Sequence, residues 1–266
     1  MYFVGEDILV LEKNTGKVIR ISDNGVLYNE PALDVPVIQA GRSGLLGIAF
    51  ASNHIYLYFT ESPSGFDKSD TYPISSVNAR NVVYQYDWDG EKLTNPILIK
   101  ELPAIDNFHH GGVLTKGQNG EVYFAIGDQD QHGVFQNILG EMIYEISSIF
   151  KIDTERDNSV ELFAMGIRNS FGLAVDPVTG YLWETENGPD KFDEINLVKH
   201  RFNSGWEYLW QTENGPSKFD EINLVKPRFN SGSNRVFGPA DRIDFDLSTL
   251  NPKPFENFVY SDPEFS

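Results

Sequence analysis

The sequence predicts an all-β protein built from repeated sheets around an axis, a β-propeller. Three observations predict it: short period-two segments, glycine-bearing turns between them, and one Gly-rich element that returns about every 60 residues. In Ile55–Thr60 one face carries Ile55, Leu57 and Phe59 and the other Tyr56, Tyr58 and Thr60. In Val122–Gly127 the faces are Val122, Phe124, Ile126 and Tyr123, Ala125, Gly127. Alternation of this kind marks strands. The same pattern places strands at Ile8–Glu12, Lys17–Ser22, Val82–Trp88, Ile97–Leu102, Ile149–Asp153, Leu173–Asp176 and Glu194–Val198. Asn14-Thr15-Gly16, Asp89-Gly90, Asn119-Gly120 and Asp176–Gly180 each join two such runs, glycine supplying the positive φ that tight hairpins need. Asp87–Gly90 reads as a hairpin turn rather than a calcium loop, since no further acidic ligand follows at the right spacing. No long amphipathic helix stands out.

The recurrence organises these strands. Gly44–Phe50, Gly111–Leu114 and Phe171–Val175 look like one element, each followed by a turn and an aromatic strand: Ile55–Thr60, Val122–Gly127 and Tyr181–Glu184. That spacing holds four strands and their loops, whereas a β-sandwich requires no such repeat. A ring of six such blades needs about 360 residues. Residues 1–266 are therefore expected to form a single partial propeller domain with about four to five blades. Residues 181–207 and 208–234 are abutting copies of one 27-residue unit and differ at five positions: Glu184/Gln211, Asp190/Ser217, His200/Pro227, Trp206/Ser233 and Glu207/Asn234. Such near-identity points to a recent duplication. The first copy continues the Leu173–Trp183 hairpin and is expected to take the ordinary place in the sheet.

Composition narrows the function classes. Aromatics make up 13% of the chain, with 23 Gly and 14 Pro, which suits aromatic strands and many turns better than a helical bundle. The formal charge of −18 disfavours nucleic acid and anionic membrane surfaces, because a phosphate backbone needs Lys and Arg to replace its counterions. It suits a divalent cation or a neutral ligand, and it also serves solubility. With no Cys there is no disulfide framework and no thiolate metal site. No apolar run reaches membrane-spanning length, and no signal-peptide pattern precedes the first strand-like run at Tyr2–Val10.

Three stretches carry chemistry: His109-His110-Gly111-Gly112 in a loop before a strand; Gly166–Pro177 with Arg168-Asn169; and Glu186–Leu197 with Asn187-Gly188-Pro189, Asp193 and Glu194, followed by Asn203-Ser204-Gly205-Trp206. From residue chemistry alone, His109 reads as a loop histidine, Arg168 as a blade-edge ion pair or a functional cation, and Asp193 and Glu194 as solvated turn acids. His54, His132 and His200 carry no motif and read as surface residues. In their order, however, and with Gly44–Phe50 ahead of them, the stretches resemble the PQQ-dependent glucose/sorbosone (aldose sugar) dehydrogenases, of which this chain looks like a truncated member. The likeness runs from about residue 5 to 265.

The resemblance implies a six-bladed quinoprotein propeller that uses pyrroloquinoline quinone (PQQ) and calcium to oxidise aldoses to lactones. His109 matches the general base and Arg168 a residue beside the quinone oxygens. Arg42, Asn169 and Asn187 match cofactor contacts, and the carbonyls of Gly188 and Pro189 match ligands of the quinone-bound calcium. Asp193 and Glu194 match an acidic pair, Glu194 resembling a structural calcium ligand. These roles agree with the chemistry: a guanidinium and a divalent cation stabilise negative charge on a reduced quinone, imidazole accepts protons near neutral pH, and calcium prefers hard oxygens. The sequence departs from the family at His110 (usually Asn or Gln), Val113 (often Arg), Phe108 (an acid in some members) and Arg42 (Gln in several). A small-molecule sugar and an electron acceptor are the implied partners, and an extracytoplasmic location is implied. The alternative reading is a non-catalytic propeller that binds sugar or protein.

Overall fold

The structure is a computed structural model. It describes residues 1–63, 74, 78–131, 138–139, 142–143, 145–188, 193–200, 202–203 and 221–223. Every regular element of four or more residues among them is a strand.

The first sheet runs in sequence order through β1 (Tyr2–Val4), β2 (Asp7–Glu12), β3 (Lys17–Ser22) and β4 (Leu33–Asp34). The second is likewise an antiparallel meander, of β5 (Leu45–Ala51), β6 (His54–Glu61), β7 (Arg80–Trp88) and β8 (Leu93–Pro103). Two further strands, β9 (Leu114–Lys116) and β10 (Val122–Ile126), precede a ribbon of β11 (Ile138–Leu139) and β12 (Met142–Ile143). After β13 (Ser148–Asp153) and β14 (Ser159–Met165) come β15 (Ser170–Val175), β16 (Leu182–Glu186), β17 (Glu194–Val198), β18 (Phe202–Asn203) and β19 (Glu221–Asn223). The third sheet has the order β18-β14-β13-β10-β9, and the fourth the order β15-β16-β17-β19.

By compactness the chain divides into two units, one of Met1–Tyr123 with Ile152–Val160 and one of Phe124–Lys151 with Glu161–Ser266. The core of the first contains Leu9, Val18, Val37, Leu57, Phe59 and Val82. All six residues of Ile55–Thr60 are buried, so both faces of β6 are covered. Tyr84 stacks on Phe59 with ring centroids 5.6 Å apart. The Asp87–Gly90 stretch is a turn: Asp89 Oδ1 accepts the main-chain N–H groups of Glu91 (2.8 Å) and Lys92 (2.7 Å), which hold its carboxyl below the usual carboxylate range. In the second unit Phe124 and Phe150 stack at 5.3 Å.

The duplicated unit enters the fourth sheet from both copies. The first copy supplies β16 and β17 beside β15. The second supplies β19, which pairs in parallel with β17 so that Glu194, Ile195 and Asn196 face Glu221, Ile222 and Asn223, the same residues 27 positions on. Most of the second copy lies outside the described residues.

Candidate active site

In the first unit, the site residues His109 and Arg42 sit on loops held by β5, β6 and β7. The turn His109–Gly112 has positive φ at His109 (50°), Gly111 (61°) and Gly112 (93°). A non-glycine residue pays about 1 kcal/mol or more for this left-handed conformation, so the surroundings must over-determine it. The hydroxyl of Tyr58 donates to the carbonyl of His110 (3.0 Å), and complete burial raises the Tyr58 pKa well above its ordinary value, keeping that donor protonated. Gly112 lies against Leu46 and Tyr58: a Cβ there would stand 2.5 Å from Leu46 Cβ and 3.1 Å from Tyr58 Cδ1. His109 is itself buried, its ring edge-on to Phe108 at 6.4 Å.

Arg42 is held by its main chain, which donates to Asn107 O (2.9 Å), while its exposed guanidinium lies 5.9 Å from the Phe108 ring. Lys13 Nζ donates to the neighbouring Gly41 carbonyl (3.3 Å), and burial lowers its pKa. Two cationic side chains therefore flank the loop that leads to His109.

Backbone proximity gives a direct test of this scaffold. A Cβ on Gly47 of β5 would meet the Gly112 carbonyl at 2.0 Å. Gly47→Ala is therefore expected to displace the histidine turn and to cost about 1–3 kcal/mol, measured by chemical denaturation of the full chain.

The second unit holds Arg168, Asn169, Asn187, Gly188, Asp193 and Glu194, and the structure brings these together. Arg168 Nη1 donates to Asn187 O (2.8 Å), and the Asn187 N–H donates to Asn169 O (2.9 Å). The Gly188 N–H donates to Asp193 Oδ1 (3.2 Å), so Asp193 closes the loop between β16 and β17. Pro189 lies outside the described residues.

Sequence reasoning missed Glu184 and Glu186, the acids beneath this loop that join the expected Glu194. Leu182, Glu184 and Glu186 occupy the buried face of β16, and Glu194 and Asn196 are buried opposite them on β17. Glu186 Oε1 accepts the Arg168 N–H (2.8 Å). Asn196 Nδ2 donates to both Glu184 Oε1 (3.1 Å) and Glu194 Oε2 (3.2 Å). Burial, and then the charge of Glu186, push the Glu184 carboxyl well above the ordinary range. Asp128 was also missed: it is buried just after β10, and its N–H donates to Arg168 O (2.8 Å). The period-two spacing of Glu184 and Glu186 on a strand was the available signal.

The sequence profile of the Glucose / Sorbosone dehydrogenase family matches residues 1–209. The chain belongs to this family. Two curated relatives in it are quinoprotein glucose dehydrogenase B of Acinetobacter calcoaceticus, 29% identical over 235 residues, and aldose sugar dehydrogenase YliI of Escherichia coli, 29% identical over 207. The matches cover 75% and 72% of this chain but 47% and 53% of those relatives, so the chain spans about half their length. Among solved structures it resembles a glucose dehydrogenase from Thermus thermophilus (TM-score 0.64, 22% identity, 99% of this chain and 67% of that one). It also resembles the PQQ-bound aldose sugar dehydrogenase of Streptomyces coelicolor (TM-score 0.59, 24% identity, 82% and 64%). At these identities the likeness shows the fold, which is the propeller of the glucose/sorbosone dehydrogenases, present in part.

The residues in hand fit a planar, oxygen-rich, anionic cofactor such as PQQ. Asn169 is fully buried, and neither atom of its side-chain amide has a hydrogen-bond partner among the described residues. A buried amide left so is costly unless a ligand engages it. Arg168 precedes Asn169 in the chain, its guanidinium bonded to Asn187 O, while the Asn187 N–H bonds Asn169 O. For calcium, the oxygen donors Asp193 and Glu194 have the right chemistry. Among the described residues no three His, Cys, Asp or Glu side chains are placed to hold one metal ion. Nor is any described helix long and apolar enough to cross a membrane.

Proposed function

We propose that this chain is a PQQ- and calcium-dependent aldose dehydrogenase, oxidising the anomeric carbon of a sugar to a lactone. The observation that carries this reading is the turn that fixes His109 in a left-handed conformation, in a family whose relatives are named as quinoprotein and aldose sugar dehydrogenases.

PQQ would supply the two-electron acceptor and calcium the positive charge that polarises it. Arg168, Asn169, Asn187 and Arg42 would hold the cofactor, and Gly188, Pro189, Asp193 and Glu194 would supply oxygens to calcium. His109 takes the proton of the sugar's anomeric hydroxyl on its imidazole as the anomeric C–H bond breaks, so that charge does not accumulate on the sugar oxygen. Arg168 offers fixed positive charge, tethered through Nη1 to Asn187 O, with no reorganisation during reaction. Burial keeps bulk water from His109. We place the enzyme outside the cytoplasm, with a small-molecule sugar as substrate and an electron acceptor regenerating the cofactor.

Reconstitution tests this reading. The full chain, loaded with PQQ and calcium, should quench its aromatic fluorescence on quinone uptake and reduce a redox dye when an aldose is added. Chelation of calcium should abolish dye reduction. Sugar binding without quinone uptake would reject the enzyme in favour of a binding propeller.

A further inference from the structure

The second histidine of the motif departs from the family pattern, and its environment gives it a defined task. His110 is buried in the first unit. Its Nδ1 lies 3.0 Å from Asn81 Oδ1. The orientation of the Asn81 amide is set by its other contacts: Nδ2 donates to Pro103 O (2.7 Å), and Oδ1 accepts the Thr60 hydroxyl (2.8 Å). Oδ1 can only accept, so His110 Nδ1 carries the hydrogen and Nε2 the lone pair. Nε2 has no hydrogen-bond partner among the described residues. Burial lowers the His110 pKa to about 4; the Asp106 main chain and carboxylate oppose that, and Lys13 and His109 add to it. Near neutral pH the ring is therefore uncharged, and its lowered basicity makes it a poor proton acceptor.

His110 is held at both ends, its carbonyl by Tyr58 on β6 and its ring by Asn81 on β7. The residue before it adopts φ 50° and the two after it φ 61° and 93°. A left-handed residue beside a doubly anchored neighbour has few ways to relax. We propose that His110 is a positioning residue for sugar oxidation: its neutral imidazole, donating from Nδ1 to Asn81, locks the left-handed turn that presents His109. This rests on the reading of His109 as the base.

Two measurements on the full chain test it. In ¹⁵N-labelled protein without cofactor, His110 should show the Nδ1–H tautomer unchanged from about pH 5.5 to 8. An Nε2–H tautomer, or titration within that range, would overturn the proposal. His110→Leu removes the donor, whereas His110→Asn can place an amide N–H where Nδ1 stood. In the same spectra His110→Leu should shift the His109 nitrogen resonances and His110→Asn leave them nearly in place; unmoved His109 signals in His110→Leu would also overturn it. In the reconstituted enzyme His110→Leu should lower kcat by about tenfold or more with little change in KM. His110→Asn should recover it to within about threefold. Equal impairment of both variants with equal Tm would mark a packing role only and defeat the proposal. If the wild-type chain reduces no dye, His109 as base fails, while the tautomer and resonance arms still decide whether His110 locks the turn.

Discussion

His109→Ala should remove sugar oxidation while leaving the fold and the quinone uptake in place. Proton abstraction by a positioned base contributes about 10²–10⁴-fold, and kcat should fall by that amount. The neighbouring histidine is a poor substitute, because its Nδ1 hydrogen is committed to Asn81 and burial makes its ring a weak base. Alanine tolerates φ 50° less well than histidine does, but the turn is anchored through His110 and Gly112 and should persist. Two controls separate chemistry from folding: an unchanged denaturation midpoint, and PQQ titration followed by fluorescence with affinity near that of the wild type. Added imidazole should restore part of the lost rate, since the truncated side chain leaves room for it. A variant that keeps more than about a tenth of the wild-type kcat would show that another group takes the proton.

How much of this could be read from the chain depends on whether neighbours in sequence or neighbours in space decide. Strands β2, β3, β10, β13 and β17 were legible because alternation and glycine turns are local signals. β14 was not: Ser159–Met165 alternates over only its first four residues and then runs apolar and buried through Phe163, Ala164 and Met165, so the period-two signal is short. Alternation separated the two faces of β6, Ile55, Leu57 and Phe59 from Tyr56, Tyr58 and Thr60, but only the structure shows both covered. The Arg168–Asn187 tether lay within recognisable motifs. Its support did not, since a glutamate on a strand reads as a solvent-facing residue until its cross-strand partner is known. Glu184 faces Asn196 and Glu186 faces Glu194 only through the register of β16 with β17. The lock on His110 is likewise invisible in sequence, because Tyr58 and Asn81 lie 52 and 29 residues away.

The buried acids yield the largest expected effect on stability. Glu184 is buried beside Glu186, and both causes raise its pKa in the folded chain. Hydrogen bonds from Asn196 and Ser170 favour the ionised form but do not outweigh burial. In the unfolded chain the same carboxyl titrates near 4.3. Above that value the folded protein holds a proton that the unfolded chain has lost, so stability falls as pH rises, until Glu184 itself ionises in the fold. The slope for one proton is about 1.4 kcal/mol per pH unit. Glu184→Gln mimics the protonated acid: its carbonyl can accept from Asn196 Nδ2 and its amide can donate to Glu186. The variant should therefore be more stable than the wild type near neutral pH and lose most of that slope. Urea denaturation in the presence of a chelator, repeated between about pH 5 and 8, measures both. Parallel pH profiles for the two proteins would mean that Glu184 is ionised in the fold, with its charge compensated by a group other than Asn196 and Ser170. If instead the chelated wild type shows the slope and added calcium flattens it, a cation held near Glu184 offsets the carboxylate repulsion that the apo fold relieves by holding a proton.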